Sequence, residues 1–86
     1  MSSVVKISRL YPNPTAGYVT LELSVEATDK TMIRVIKATG QLILERQAQS
    51  GECLHELDVS NLPTGLYFLQ VFNGDRLIAA EKFVKQ

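Results

Sequence analysis

Hydrophobic and polar residues alternate along much of this chain, and short turn-forming stretches interrupt the alternation. The clearest case is the segment 18–25, where Val19, Leu21, Leu23 and Val25 occupy every second position. A repeat of two residues is typical of a strand with one buried face. The segment is therefore predicted to be a strand whose apolar side chains face a core.

Seven segments of this kind are predicted as strands, covering residues 4–10, 18–25, 31–37, 41–49, 52–59, 66–72 and 76–85. Turn-forming residues separate them at the spacing found in β-sandwiches and barrels. The connections are shorter than the crossovers that parallel strands require, so antiparallel pairing is expected. No segment has enough apolar residues at three- and four-residue spacing to predict a helix.

These features predict an all-β fold, namely a seven-stranded antiparallel immunoglobulin-like β-sandwich with Greek-key links. A length of 86 residues suits one domain, and a hydrophobic share of 45% is typical of a globular chain. We expect residues 4–86 to form this domain. Residues 1–3 are interpreted as additions left when the segment was excised from a longer protein.

Further details follow from the same pattern. The core-facing side chains of the third to fifth strands should be Ile33, Val35, Leu42, Leu44, Leu57 and Val59. Gly40 should supply the positive φ that tight hairpins need, Ser50-Gly51 should form another turn, and Asn73-Gly74 is the strongest hairpin signal. The sixth strand is the most apolar and should be central. Ala79-Ala80 and Phe83-Val84 do not fit one alternation, so the last strand should contain a bulge.

Charge and composition exclude several classes of function. Nine basic and nine acidic side chains cancel, so there is no basic excess to bind nucleic acid or an anionic membrane. No apolar run approaches the roughly 20 residues that span a bilayer. Cys53 is the single cysteine, which excludes an internal disulfide.

Candidate catalytic and metal-binding groups are few. Cys53 and His55 would share one face of a strand at about 7 Å, whereas a nucleophile and its base need about 2.6–3.2 Å. We interpret them as a buried or edge thiol beside a partly exposed histidine. Four acids fall in separate turns and match no calcium-loop spacing, namely Glu26, Asp29, Asp58 and Asp75. No catalytic residue, metal or cofactor is therefore expected, and the chain is not expected to be an enzyme.

Two corners between strands are more specific. The first is Tyr11-Pro12-Asn13-Pro14-Thr15 followed by Gly17. Its prolines fix φ, remove two backbone donors and favour extended geometry in the residues before them. Asn13 is predicted to bond its own backbone. In the second corner, 57–68, Leu62 should close the end of the core, while Tyr67 should enter the core with its hydroxyl bonded near the corner.

In this order, the motifs resemble the C-terminal sorting domains of the type IX secretion system. The resemblance covers Tyr11 to Lys85 and includes a Tyr-Pro-Asn-Pro corner, a glycine that ends a central turn, a Leu-Pro-x-Gly-x-Tyr corner and a basic-apolar tail. The candidate motif and signal residues are Tyr11, Pro12, Asn13, Pro14, Gly17, Gly40, Leu62, Pro63, Gly65, Tyr67, Lys82, Phe83, Val84 and Lys85. The chain departs from the pattern in two places. It has Lys37 on the strand before the Gly40 turn, where many members carry an acidic residue, and its last residues, 83–86, lack the apolar-rich ending of some members.

The resemblance implies a non-catalytic signal domain at the C-terminus of a larger cargo protein in a Gram-negative bacterium. It implies passage through the periplasm and recognition by the outer-membrane translocon. A sortase-like cysteine peptidase would then remove the domain and attach the cargo to lipopolysaccharide at the cell surface. The catalytic cysteine belongs to that peptidase, so Cys53 inherits no role.

The final strand and the face beside it are predicted to carry the signal by presenting exposed backbone and a few side chains to the export machinery, as in β-augmentation. The same exposed edge could pair two copies weakly. The alternative function is an immunoglobulin-like structural, adhesive or carbohydrate-binding module, since the fold does not determine function. Six aromatic residues could supply a sugar platform, although packing explains them better, namely Tyr11, Tyr18, Tyr67, Phe68, Phe72 and Phe83.

Overall fold

A computed structural model of the protein describes residues 5–86. These residues form seven strands and no helix, which confirms the all-β class. The strands are β1 (Ile7–Tyr11), β2 (Tyr18–Leu23), β3 (Thr31–Lys37), β4 (Leu42–Gln47), β5 (Leu54–Asp58), β6 (Gly65–Asn73) and β7 (Arg76–Lys85). The expected additions at positions 1–3, and the predicted strand start at Val4, lie outside the described residues. Residues 5–86 contain no helix that is long and apolar enough to cross a membrane.

The strands form two sheets with antiparallel pairing between neighbours. The smaller sheet has the order β1-β2-β5, and the larger sheet has the order β4-β3-β6-β7. β6 lies inside the larger sheet between β3 and β7, as its apolar sequence predicts. Hairpins connect β1 to β2, β3 to β4 and β6 to β7, while the other three connections pass between the sheets.

The core lies between the two sheets because alternate side chains of each strand point inward. The smaller sheet contributes Val19, Leu21, Leu23 and Leu57, and the larger sheet contributes Ile33, Val35, Tyr67, Leu69, Val71 and Phe83. Val59, directly after β5, is also fully buried. The inward positions predicted for β3 and for the Leu57–Val59 segment are therefore confirmed.

Two predicted core residues are exposed. β2 ends at Leu23, so Val25 no longer follows the alternation and is 37% exposed. In β4 the pairing with β3 shifts register, with Val35 opposite Leu44 and Ile36 opposite Leu42. The extra residue between them reverses the direction of Leu42, which is 50% exposed. The prediction that Leu42 is a core residue is wrong because of this bulge.

The irregularity predicted in β7 is confirmed. Val71 pairs with Ala79 and Phe72 pairs with Leu77, so Ile78 is the extra residue of a bulge. The β6–β7 hairpin itself is displaced by one residue from the prediction. Paired residues Asn73 and Arg76 enclose Gly74 and Asp75, and Gly74 has a φ of 63°. Glycine with positive φ at the first turn position is the type II′ arrangement.

Candidate functional site

The predicted motifs meet at one end of the two sheets, which we call the motif end. Antiparallel neighbours run in opposite directions, so β1, β3, β5 and β7 end here and β2, β4 and β6 begin here. The first corner follows β1, Gly40 lies in the β3–β4 turn, and the second corner precedes β6. Gly40 has a φ of 97°, so the turn conformation predicted for it is confirmed.

The first corner holds the end of β7 through four hydrogen bonds. Asn13 Oδ1 accepts the Val84 N–H at 2.9 Å, and Asn13 Nδ2 donates to the Lys82 carbonyl at 3.2 Å. The Thr15 N–H donates to the Val84 carbonyl at 2.9 Å, and the Gln86 N–H donates to the Thr15 carbonyl at 2.8 Å. We call this set the corner–tail contact. Both proline peptide bonds of the corner, Tyr11–Pro12 and Asn13–Pro14, are cis.

The corner–tail contact contradicts one prediction and part of a second. Asn13 bonds the terminal strand and not its own backbone. The outward-facing backbone groups of residues 82–86 are already paired with Asn13 and Thr15, so this part of β7 does not present free backbone for β-augmentation. The weak edge-strand homodimer stays a prediction for the remaining edges.

The second corner has the predicted geometry. The Tyr67 ring is buried, and its hydroxyl donates to the Pro63 carbonyl at 2.6 Å. Leu62 is half-buried and packs against the core. The Tyr67 ring also stacks on Phe83, with ring centroids 5.6 Å apart. The second corner and the tail therefore share the same part of the core.

The four tail candidates point in alternating directions. Phe83 is fully buried, and Lys85 is 6% exposed with its Nζ donating to the Gln86 carbonyl at 2.8 Å. Lys82 and Val84 point outward and are exposed. Phe83 and Lys85 are therefore part of the folded interior, and the tail presents Lys82 and Val84 to a partner.

The sequence analysis assigned no role to Thr15, which is 2% exposed at the centre of the motif end. Its hydroxyl donates to the Tyr18 carbonyl at 2.6 Å, and its backbone pairs with the tail. A single threonine after a proline carries no signal for burial. Only the assembled fold shows that it joins the first corner to both β2 and β7.

Cys53 and His55 differ in burial and in hydrogen bonding. His55 lies on the inward face of β5 opposite Leu21, and it is buried, so the prediction of a partly exposed histidine is wrong. Its Nε2 has no hydrogen-bond partner among the described residues. Cys53 is half-buried before β5, and its carbonyl accepts the Leu23 N–H. Within residues 5–86, no three His, Cys, Asp or Glu side chains are grouped as metal ligands would be.

The aromatic residues do not form one platform. Tyr67 and Phe83 lie in the core. Phe68 and Phe72 lie on the outer face of the larger sheet, whereas Tyr11 and Tyr18 lie on the smaller sheet. This dispersal does not favour the carbohydrate-binding alternative.

His55 should make stability depend on pH. It borders an open groove of about 470 Å³ between β4 and β5, together with Arg46, Glu52, Glu56 and Asp58. Burial lowers the pKa of His55 from its usual 6.5, and the opposing effect of Glu52 is smaller. The unfolded chain therefore takes up the proton at higher pH than the folded one. The stabilisation is complete above pH 6.5 and declines as pH falls through the folded pKa.

We expect the midpoint of thermal unfolding to fall between about pH 7.5 and about pH 5, the range in which histidine titrates. A His55→Gln variant should show a smaller fall over the same range. Hydrogen bonds from Ser60 lower the pKa of Asp58 from its usual 3.8, so Asp58 titrates below this range. An unchanged slope in the variant would contradict the assignment to His55.

A family model described as the secretion system C-terminal sorting domain matches residues 9–86, which include both corners and the tail. No curated protein matches the chain, and the alternative of an adhesive or carbohydrate-binding module gains no support. The match indicates a sorting signal for type IX secretion, which exports proteins across the outer membrane of Gram-negative bacteria. Domains of this kind are typically non-catalytic, and they interact with the secretion machinery and a linked cargo. The chain belongs to the family of secretion system C-terminal sorting domains.

Proposed function

We propose that residues 4–86 act as one folded sorting domain, which the outer-membrane type IX translocon recognises after the cargo reaches the periplasm. A sortase-like peptidase then removes the domain and attaches the cargo to the cell surface. The observation that carries the proposal is the corner–tail contact. It ties residues 82–86 to Asn13 and Thr15, so the tail is part of a folded structure and not a free peptide.

We also propose that the fold is an immunoglobulin-like sandwich with Greek-key links. In chain order, β1, β2 and β5 correspond to strands A, B and E, and β3, β6 and β7 correspond to strands C, F and G. β4 pairs with β3, which differs from the constant-type arrangement. The hydrogen bond from the Tyr67 hydroxyl to Pro63, at the start of β6, matches the tyrosine corner of such domains.

The fourteen candidate residues are proposed to act in two ways. Most of them build the motif end: the prolines and glycines shape its turns, and Tyr67 and Phe83 fill its core. Lys82 and Val84 are exposed on β7 and remain available to a partner. A folded domain can in this way present a surface without any reactive group.

The proposal predicts that this segment is sufficient for export. The segment should be fused to the C-terminus of a fluorescent reporter that is directed to the periplasm. In a strain with an active type IX apparatus, we expect the reporter at the cell surface or in the medium. In an otherwise identical strain without the apparatus, it should stay in the periplasm.

Two further measurements test the steps of the proposal separately. Removal of the domain should leave the exported reporter without the peptides of this 9.6 kDa segment, as measured by peptide mass mapping. A reporter without the segment serves as the control and should stay in the periplasm in both strains. Retention of the full fusion in the competent strain would contradict the sorting function, whereas export at full length would contradict only the removal step.

A further inference from the structure

The outer faces of the two sheets differ in polarity. On the smaller sheet, the exposed apolar residues Tyr18 and Leu54 are opposite the acids Asp58 and Glu22, and Glu22 also pairs with Arg9 at 3.0 Å. On the larger sheet, cross-strand neighbours with side chains on the outer face include Ile36 with Leu42, Ile36 with Phe68, Phe68 with Lys82, and Leu66 with Val84. Exposed faces of antiparallel sheets are usually polar. The larger sheet departs from this rule.

Apolar side chains lie at both ends of this outer face. At the far end are Met32, Phe72 and Leu77, and there the Arg34 guanidinium lies 4.4 Å from the centre of the Phe72 ring. A second group, without such a cation over it, forms a patch at the motif end. We call Ile36, Leu42, Leu66, Phe68, Lys82 and Val84 the outer patch. Leu42, Leu66 and Val84 are 50%, 42% and 39% exposed, whereas the apolar core residues are at most 5% exposed. A shallow hollow of about 260 Å³ lies beside Phe68, between Ala80, Glu81 and Lys82. Interaction sites on folded domains are often contiguous apolar patches with polar residues around them.

Lys82 is the uncompensated charge of this face. Arg34 and Glu45, farther along the same face, form an ion pair and neutralise each other. The Glu81 carboxylate lies in the opposite phase of β7 and is 3.4 Å from the Lys82 backbone nitrogen. Within residues 5–86, the structure gives the Lys82 ammonium no ion-pair or hydrogen-bond partner. A surface that covers the outer patch would therefore gain from a carboxylate opposite Lys82.

The size of the outer patch favours a transient partner over a stable dimer. Six side-chain positions, each covering about 4.8 Å across the strands and about 7 Å along them, give an area of roughly 200 Å². Stable interfaces bury about 800 Å² on each partner. A sorting signal must also be released after use, which suits a small contact area.

The corner–tail contact favours recognition through side chains. It occupies the outward backbone groups of residues 82–86, so a partner strand cannot pair there without displacing Asn13 and Thr15. The same bonds fix the backbone on both sides of the Lys82 and Val84 side chains. These two members of the outer patch are thereby held in place before any partner binds.

We propose that the domain docks on the secretion machinery through the outer patch, and that the partner is an apolar protein surface with a carboxylate facing Lys82. This inference rests on the proposed sorting function and names the surface that performs it. The contact is made by the side-chain face of the folded sheet and not by its edge.

The test uses the reporter fusion with matched variants on the two outer faces. The patch variants are the double substitution Leu66→Ser/Val84→Ser and the single substitution Lys82→Glu. The controls are Tyr18→Ser/Leu54→Ser on the smaller sheet, where the side chains are 54% and 55% exposed, and Lys30→Glu at the opposite end. Surface reporter is measured in the competent strain, and the midpoint of thermal unfolding is measured on each purified fusion.

We expect both patch variants to reduce surface reporter about tenfold or more, equivalent to a loss of about 1.4 kcal/mol in binding. Their unfolding midpoints should stay close to those of the controls, which should be exported like the parent fusion. Normal export of the stably folded patch variants would overturn the inference but leave the sorting function intact. Equal losses in patch and control variants would also overturn it. The inference would likewise be wrong if the parent fusion were a dimer and the patch variants were monomers that are still exported. Failure of the parent fusion to be exported would instead contradict the sorting function.

Discussion

Replacing Phe83 with alanine should lower the free energy of unfolding by about 3–5 kcal/mol, the usual cost of removing a buried aromatic ring. Phe83 is fully buried and stacks on Tyr67. A domain of this size has a total stability of only about 4–13 kcal/mol, at roughly 0.05–0.15 kcal/mol per residue. The variant should therefore be marginally folded, and denaturant unfolding followed by circular dichroism measures the loss.

Val84→Ala is the matched control for this prediction. Val84 is the next residue along β7, but its side chain is 39% exposed on the outer face. We expect its free energy of unfolding to change by less than about 1 kcal/mol. If Phe83→Ala were no more destabilising than Val84→Ala, the assignment of Phe83 to the core would be wrong.

The burial of Phe83 also changes how tail deletions should be interpreted. Removing residues 83–86 takes away a core ring, the partner of Asn13, and the Gln86 N–H that pairs with Thr15. Loss of export after such a deletion could therefore result either from unfolding of the domain or from removal of the signal. Substitutions at Lys82, whose side chain is exposed on the outer face of β7, separate the two explanations.

Strand positions were predictable from the sequence because burial on one face imposes a repeat of two residues. β3 has the predicted limits, Thr31–Lys37, with Ile33 and Val35 inward. The direction of Leu42 was not predictable, because the bulge in β4 is defined only by pairing with β3. The inward position of His55 did follow from the same repeat, since His55, Leu57 and Val59 occupy every second position. Its burial was missed because a histidine side chain is usually at least partly exposed.

The motifs of the candidate site were predictable, but the contacts between them in the folded domain were not. The prolines, glycines and Tyr67 are recognisable because each restricts the backbone or needs a buried partner. The bonds from Asn13 to Lys82 and Val84 join residues 69 and 71 positions apart. Local sequence rules favour bonding of an asparagine to its own turn, and they carry no information about a strand that arrives so much later in the chain.

The corner–tail contact predicts a second large effect on stability. Asn13→Ala removes the acceptor of the Val84 N–H and the donor to the Lys82 carbonyl. At about 0.5–1.5 kcal/mol for each hydrogen bond, the free energy of unfolding should fall by about 1–3 kcal/mol. Asn13→Asp keeps the acceptor and should lose about half as much. Asn61→Ala, an exposed asparagine in the second corner, is the control and should have little effect.

Amide hydrogen exchange locates this loss within the molecule. In Asn13→Ala, the Val84 amide should exchange faster than in the parent, because water replaces its partner, while the amide of buried Leu69 in β6 should follow only the global stability. If Val84 stays as protected as in the parent, Asn13 does not hold the tail. If Val84 is deprotected and export falls more than the loss of stability explains, the contact also positions Lys82 and Val84 for the partner. The two measurements together thus separate a corner that only stabilises the fold from one that also orients the docking surface.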